Sequence, residues 1–157
     1  MTIRPAKLPQ DEAAILDFIA ALQKYESGFE KNRRTDADFP AEHWAVVQNR
    51  AHSHHGIILV AEDGGKRLGW LFAYEEEAET FIAPDERTHG FLAEIYVVPE
   101  ARGTGVGRAL IEGCEHWSRG RGHKALTISV LAHNHRAIRA YEGTGYAPYT
   151  VTLRKYL

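Results

Sequence analysis

The stretch "YVVPEARGTGVGRAL", Tyr96 to Leu110, constrains this chain more than any other. Gly103, Gly105 and Gly107 stand on alternate positions between an apolar, β-branched run and a helical pattern. Glycine loses more backbone freedom on folding than any other residue, so such a loop is selected for something the bare backbone does. A turn that joins a strand to a helix presents unpaired N–H groups at the positive end of the helix dipole. Without side chains in the way, a phosphate can approach that backbone closely. Arg102 and Arg108 flank the loop and add charge. The expected ligand is therefore an anion.

Two common phosphate loops do not fit. "GTGVGRA" has neither the glycine spacing nor the lysine of a P-loop, and Arg108 stands where a dinucleotide fingerprint needs its third glycine.

The flanking sequence orders the elements. "TIRPAK" has strand character. From Asp11, the positions Ala14, Ile15, Phe18, Ile19 and Leu22 follow helical spacing to about Gly28. Pro40 suits the first turn of a second helix, with Trp44 and Val47 on one face. "GIILVAEDGGKRLGWLFAYEEE" reads as two strands joined by a tight hairpin at "EDGGK". "FLAEIYVVP" is a strand that stops at Pro99, and the glycine loop leads into a helix to about Arg119. "ALTISVLA" reads as a buried central strand, "NHRAIRAYEGTG" as a short helix, and "YAPYTVTLRKYL" as terminal strand material. The strands on either side of the glycine-loop helix should run parallel, as a crossover unit. The fold class is α/β (α+β): a mixed central sheet of about six to seven strands flanked by about four helices. With 157 residues and no linker, residues 1–157 read as one domain.

The remaining features exclude function classes. A formal net charge of -2 gives no general attraction to nucleic acid or to an anionic membrane. The N-terminus does not read as a signal peptide, and no apolar run is long enough to span a bilayer. The expectation is a cytoplasmic protein. The one cysteine, Cys114, rules out an internal disulfide and sits at a buried helical position. Among nine histidines, "HSHH" and "HNH" match no zinc spacing, so no metal is expected.

Arg-x-x-Gly-x-Gly (Arg102, Gly105, Gly107) behind a strand ending "VVPEA" resembles the acetyl-CoA-binding core of the GNAT family of N-acetyltransferases. The later segment, with Asn134, Ala137, Tyr141, Gly145 and Tyr146, resembles the segment that follows it in the family, and the element order fits along nearly the whole chain. The resemblance implies a GNAT fold with a splayed pair of parallel strands around acetyl-CoA. It places the coenzyme diphosphate on the backbone N–H groups of Arg102, Gly103, Thr104, Gly105, Val106, Gly107 and Arg108. Backbone groups of Val97 and Val98 would pair with the pantetheine arm. Val97 N–H would also stabilise the developing oxyanion.

Asn134 is either a helix N-cap or a residue that also faces the coenzyme. Ala137 is carried over as part of the same coenzyme contact. Tyr141 would hydrogen-bond the leaving thiolate, or else only pack. Glu94, an acid in an apolar strand that burial would shift toward neutral pKa, is the candidate base. Its alternative role is to bind a cationic substrate. Strand alternation would set Leu92, Glu94, Tyr96 and Val98 on one face. Tyr25, Glu26 and Phe29 mark the acceptor region by location, and the acidic run Glu75 to Glu79 adds to an expectation of a cationic small-molecule amine. Arg136 and Arg139 would meet the coenzyme 3′-phosphate or face water. The implied function is acetyl transfer from acetyl-CoA to a primary amine by direct attack, with a homodimer as the candidate assembly. The alternatives are a non-catalytic acyl-CoA sensor and an enzyme that acetylates peptide amines.

Overall fold

A computed structural model describes residues 1–157. Five strands form one sheet in the order β1 to β5: Thr2–Pro5, Ile57–Asp63, Lys66–Glu77, Thr88–Val97 and Leu126–Ile128. The first three pairings are antiparallel and β4 pairs with β5 in parallel, as the crossover reading requires. Four α-helices cover the sheet: α1 (Glu12–Glu26), α2 (Phe39–Ser53), α3 (Val106–Gly120) and α4 (His135–Glu142).

Alternation along β2 and β3 divides the core in two. Leu59, Ala61, Leu71 and Ala73 face α3, where Val106, Leu110, Ile111 and Cys114 close the layer. Val60, Trp70, Phe72 and Tyr74 face α1 and α2, meeting Ile15, Phe18, Ile19, Trp44 and Val47. Each large side chain buried in this way contributes about 1.5–3 kcal/mol. The hairpin between β2 and β3 turns on Gly64 and Gly65, both at positive φ, as "EDGGK" implies. Beside this hairpin, Asp11 is fully buried and ties three elements together. It accepts hydrogen bonds from Arg4 on β1, from Arg67 on β3 and from the Lys7 N–H.

The sheet has five strands, not six or seven. Two segments account for the difference. "ALTISVLA" pairs over only Leu126–Ile128, because its neighbour β4 diverges beyond Leu92. Tyr149, Val151 and Leu153 have the alternation of a strand but lie exposed, outside any regular element. The acidic run is also placed differently. Glu75, Glu76 and Glu77 belong to β3, and Glu75 is paired with Arg121 and His123.

Candidate active site at the β4–β5 split

Pairing between β4 and β5 ends at Leu92 and Ile128, while β4 runs on to Val97. The two strands therefore open like a V. The opening is a cleft of about 190 Å³ lined by Ile95, Tyr96 and Val97 on one side and Ile128 to Leu131 on the other. Asn134, Ala137 and Tyr141 from α4 close its wall. The apolar residues Val130 and Leu131, read from sequence as strand, line this cleft instead.

At the mouth lies the glycine loop. Gly103 and Gly105 have φ of +81° and +95°, and a Cβ at either would project into open space. The N–H groups from Gly103 to Arg108 have no partner within the protein, the first bonded amide of the helix being Ala109, which donates to Gly105 O at 3.0 Å. Six consecutive unpaired donors at the start of a 15-residue helix are an arrangement suited to an anion. The Arg102 amide is not one of them, since it donates to Pro99 O and closes a short turn. Val98 is likewise engaged: its N–H donates to Leu68 O and its carbonyl accepts from Ala101. Ladder alternation turns the Val97 peptide groups the other way, toward the open side. There the Val97 carbonyl accepts from Arg102 Nε at 2.9 Å, and the Arg102 guanidinium lies over the rings of Tyr25 and Tyr96.

The expected common face of Leu92, Glu94, Tyr96 and Val98 does not form. Phe72 pairs with Glu94 and Ala73 with Leu92, so Ala93 is an extra residue, a β-bulge. Leu92 consequently packs toward α3, whereas Ala93 and Tyr96 pack toward α1 and α2. The bulge turns Glu94 to the α1–α2 side, where it lines both the cleft and an adjoining recess of about 270 Å³.

That recess is bounded by Leu22, Gln23 and Glu26 of α1, by Arg33, and by Phe39 and His43 of α2. Glu26 faces both spaces, and burial raises its pKa, with the charge of Glu94 adding to the effect and Arg33 opposing it. Arg33 Nε donates to Glu26 at 3.1 Å. Tyr141 is pushed up to about 12 by burial and by the negative charge of Glu26, so its phenol keeps its proton at neutral pH. Tyr25 lines the cleft, but Phe29 does not; it packs edge-on against Tyr25 with ring centroids 5.2 Å apart.

Asn134 combines both of its readings. Its Oδ1 accepts from the Ala137 N–H at 3.2 Å as an N-cap, and the residue also lines the cleft. Arg136 reaches the cleft wall, and Arg139 does not. Burial pushes the Cys114 thiol up to about 12, as expected of an unreactive core cysteine.

Sequence reasoning missed His43. Its Nε2 lies 2.5 Å from Glu94 Oε1, and its ring stacks on Phe39 with centroids 5.1 Å apart. The hydrogen bond with Glu94 raises the His43 pKa above its ordinary value, against the effect of burial. The available signal was weak. His43 is one residue before buried Trp44 and four after Phe39, which places it at the rim of the buried face of α2.

An unpaired amide cradle opening onto a split between parallel strands has the shape and donors for a diphosphate joined to an extended arm, as in coenzyme A. It defines an acyltransferase that draws on a coenzyme A thioester. The description "Acetyltransferase (GNAT) family" matches residues 19–146, and the chain belongs to that family. It is similar to the N-acetyltransferase YhfO of Bacillus subtilis (strain 168), at 31% identity over 65% of this chain and 66% of that protein. It is also similar to an aminoglycoside N(6′)-acetyltransferase type 1 of Klebsiella aerogenes, at 38% identity over 57% of each chain. The tetramutant of the BH1408 protein of Bacillus halodurans shares the fold, with a TM-score of 0.83, 20% identity and full coverage of both chains. No helix is long and apolar enough to cross a membrane.

Proposed function

We propose that this protein acetylates a primary amine on a small, positively charged molecule, with acetyl-CoA as the acyl donor. The observation that carries the reading is the pair of carboxylates, Glu26 and Glu94, that lines both the cleft and the adjoining recess. An ammonium group held there lies beside the place where a thioester arm would end. Similarity to an aminoglycoside N(6′)-acetyltransferase supports an acceptor of this charge and size.

The donor supplies an acetyl group on a thioester sulfur. This chain's residues do the rest. The N–H groups of Gly103 to Arg108 bind the diphosphate, while Asn134, Ala137 and Val97 line the path of the arm. Glu94 takes a proton from the acceptor ammonium and so frees the nitrogen lone pair for direct attack. Tyr141, still protonated, donates a hydrogen bond toward the departing sulfur. Glu26 and Tyr25 hold the acceptor. No residue in the cleft is an activated nucleophile, which favours transfer without a covalent enzyme intermediate.

The test is thiol release from acetyl-CoA in the presence of aminoglycosides, polyamines and short peptides. Propionyl- and succinyl-CoA are run beside it. Turnover with a small polyamine or aminoglycoside is expected. Turnover with peptides alone would overturn the acceptor class, and tight coenzyme binding with no turnover on any amine would leave only a sensor.

A further inference from the structure

Glu94 separates two spaces. One oxygen, Oε1, meets His43 Nε2 at 2.5 Å, and the carboxylate also borders the cleft. His43 borders the recess but not the cleft. The Glu94 side chain is 15% exposed, whereas that of His43 is 30% exposed. Imidazole therefore stands between a nearly enclosed carboxylate and solvent. The stack on Phe39 fixes the plane of the ring, and α2 fixes its distance from the strand.

We propose that His43 is a positioning residue for acetyl transfer: it holds the Glu94 carboxyl group once that group has taken a proton from the amine, and it carries that proton out to solvent. This rests on Glu94 acting as the base. An ammonium that becomes an amide loses two protons. One finishes on the coenzyme thiol. The other passes to the Glu94 carboxylate; the carboxyl group then turns its O–H toward His43 Nε2, the proton crosses to that nitrogen, and the resulting imidazolium releases a proton to water. No oxidant or further reactant is needed. The step requires neutral His43 before each turnover, with its proton on Nδ1.

The charged surroundings define the pH at which that holds. Glu94 on β4 favours the imidazolium, and Arg50 on α2 opposes it. Glu26 of α1 and Arg33 border the same recess and pair with each other. Arg34 lies beyond Phe39, 5.6 Å from its ring, and is itself paired with Asp36 and Glu42. The Glu94 hydrogen bond prevails, so His43 becomes neutral only above the ordinary histidine range. It follows that kcat/KM rises with pH through that raised value.

The experiment has two arms on the full chain. In the first, the imidazole signals of the wild type are titrated by NMR, with His43 assigned by its absence in H43Q. His43 should titrate above the ordinary value of about 6.5, and E94Q should bring it back down. In the second, pH profiles of kcat/KM are measured with two acceptors of different amine pKa. One inflection should move with the acceptor and a second should stay fixed. H43Q keeps a hydrogen-bond donor for Glu94 but cannot carry a proton, so it should lose the fixed inflection and about 100-fold in kcat. Its coenzyme KM should be unchanged. A His43 titration that ignores E94Q overturns the proposal. So does an H43Q enzyme that keeps the fixed inflection, and in that case acetyl transfer by the wild type leaves the functional reading intact. Absence of turnover in the wild type with every amine defeats that reading and the proton path together.

Discussion

The claim that the glycine loop is the diphosphate site can be separated from simple loop strain, because the fold holds a matched control. Gly103 and Gly65 both have φ of +81°, and neither would crowd a neighbour within 4 Å if given a Cβ. An alanine at either position meets the same backbone penalty, about 1–2 kcal/mol for a left-handed residue. For a chain of 157 residues that corresponds to a melting shift of about 2–8 °C. Gly103→Ala and Gly65→Ala should therefore melt alike. Their coenzyme affinities should differ. The Gly65 hairpin joins β2 to β3, outside the residues that line the cleft, while the Gly103 N–H is the first of the six unpaired donors. Relaxing the strain at Gly103 withdraws at least one donor from the anion, and a hydrogen bond to a charged group contributes about 1.5–3 kcal/mol. The expected result is about 10- to 150-fold weaker binding of coenzyme A by Gly103→Ala, and unchanged binding by Gly65→Ala. Isothermal titration calorimetry reads the affinity and a thermal melt reads the strain. Equal affinities in the two variants would refute the assignment of the loop, whatever their melting temperatures.

Other expectations follow from neighbouring features. Tyr141→Phe should lower kcat by about 10-fold or more while coenzyme affinity holds, because only the phenolic donor is removed; equal turnover removes its role. Gly69→Ala places a Cβ 2.4 Å from the Tyr96 carbonyl, a backbone atom that cannot step aside, so β3 and β4 must part beside Val97. A loss of about 1–3 kcal/mol by urea unfolding, together with reduced turnover, is expected. Asp11→Ala removes the carboxylate shared by Arg4 and Arg67 and should cost about 3 kcal/mol or more. The Asp11 carboxyl is held far below its usual range, chiefly by the Arg4 hydrogen bond. Its contribution is thus complete above the unfolded value of about 3.9 and is lost as pH falls below it. Acid unfolding of Asp11→Asn should accordingly show a shallower pH dependence than that of the wild type.

Local patterns carried most of the architecture. "EDGGK" had to turn, since two adjacent residues at positive φ favour glycine, and the periods of α1, α2 and α3 matched the faces they bury. The proposed donor half of the site was legible for the same reason: the glycine loop is one continuous stretch. The acceptor half was not. Glu94 and His43 are 51 positions apart, and no helical or strand period links them. Phe29 stood near the right place, but its ring serves Tyr25 rather than the cleft. The missing strands failed for a related reason. Apolar alternation in "YTVTL" and continuity in "ALTISVLA" describe residues able to pair, whereas pairing also needs a neighbour, and β4 withdraws from β5 past Leu92.

That withdrawal and the bulge at Ala93 are consecutive, and together they let one strand border both the cleft and the recess in which the proposed donor and acceptor would meet. A regular β4 would keep its outer peptide edge bonded to β5, leaving no slot for an extended arm. It would also hold Glu94 on the face of Leu92, under α3, where the packed core has no room for an acceptor. One added residue changes the parity of the strand, so Glu94 meets α1 and α2, and the split begins at the residue before it. Deleting Ala93 takes out the extra residue and the bulge together, so Leu92 and Glu94 become neighbours opposite Ala73 and Phe72, and Glu94 keeps its place toward α1 and α2. The regular strand is expected to go on pairing with β5 past Leu92 and so to narrow the slot for an extended arm. Coenzyme A should bind at least about 10-fold more weakly by calorimetry, with turnover reduced. A folded deletion variant with wild-type coenzyme affinity would show that the bulge does not open the split.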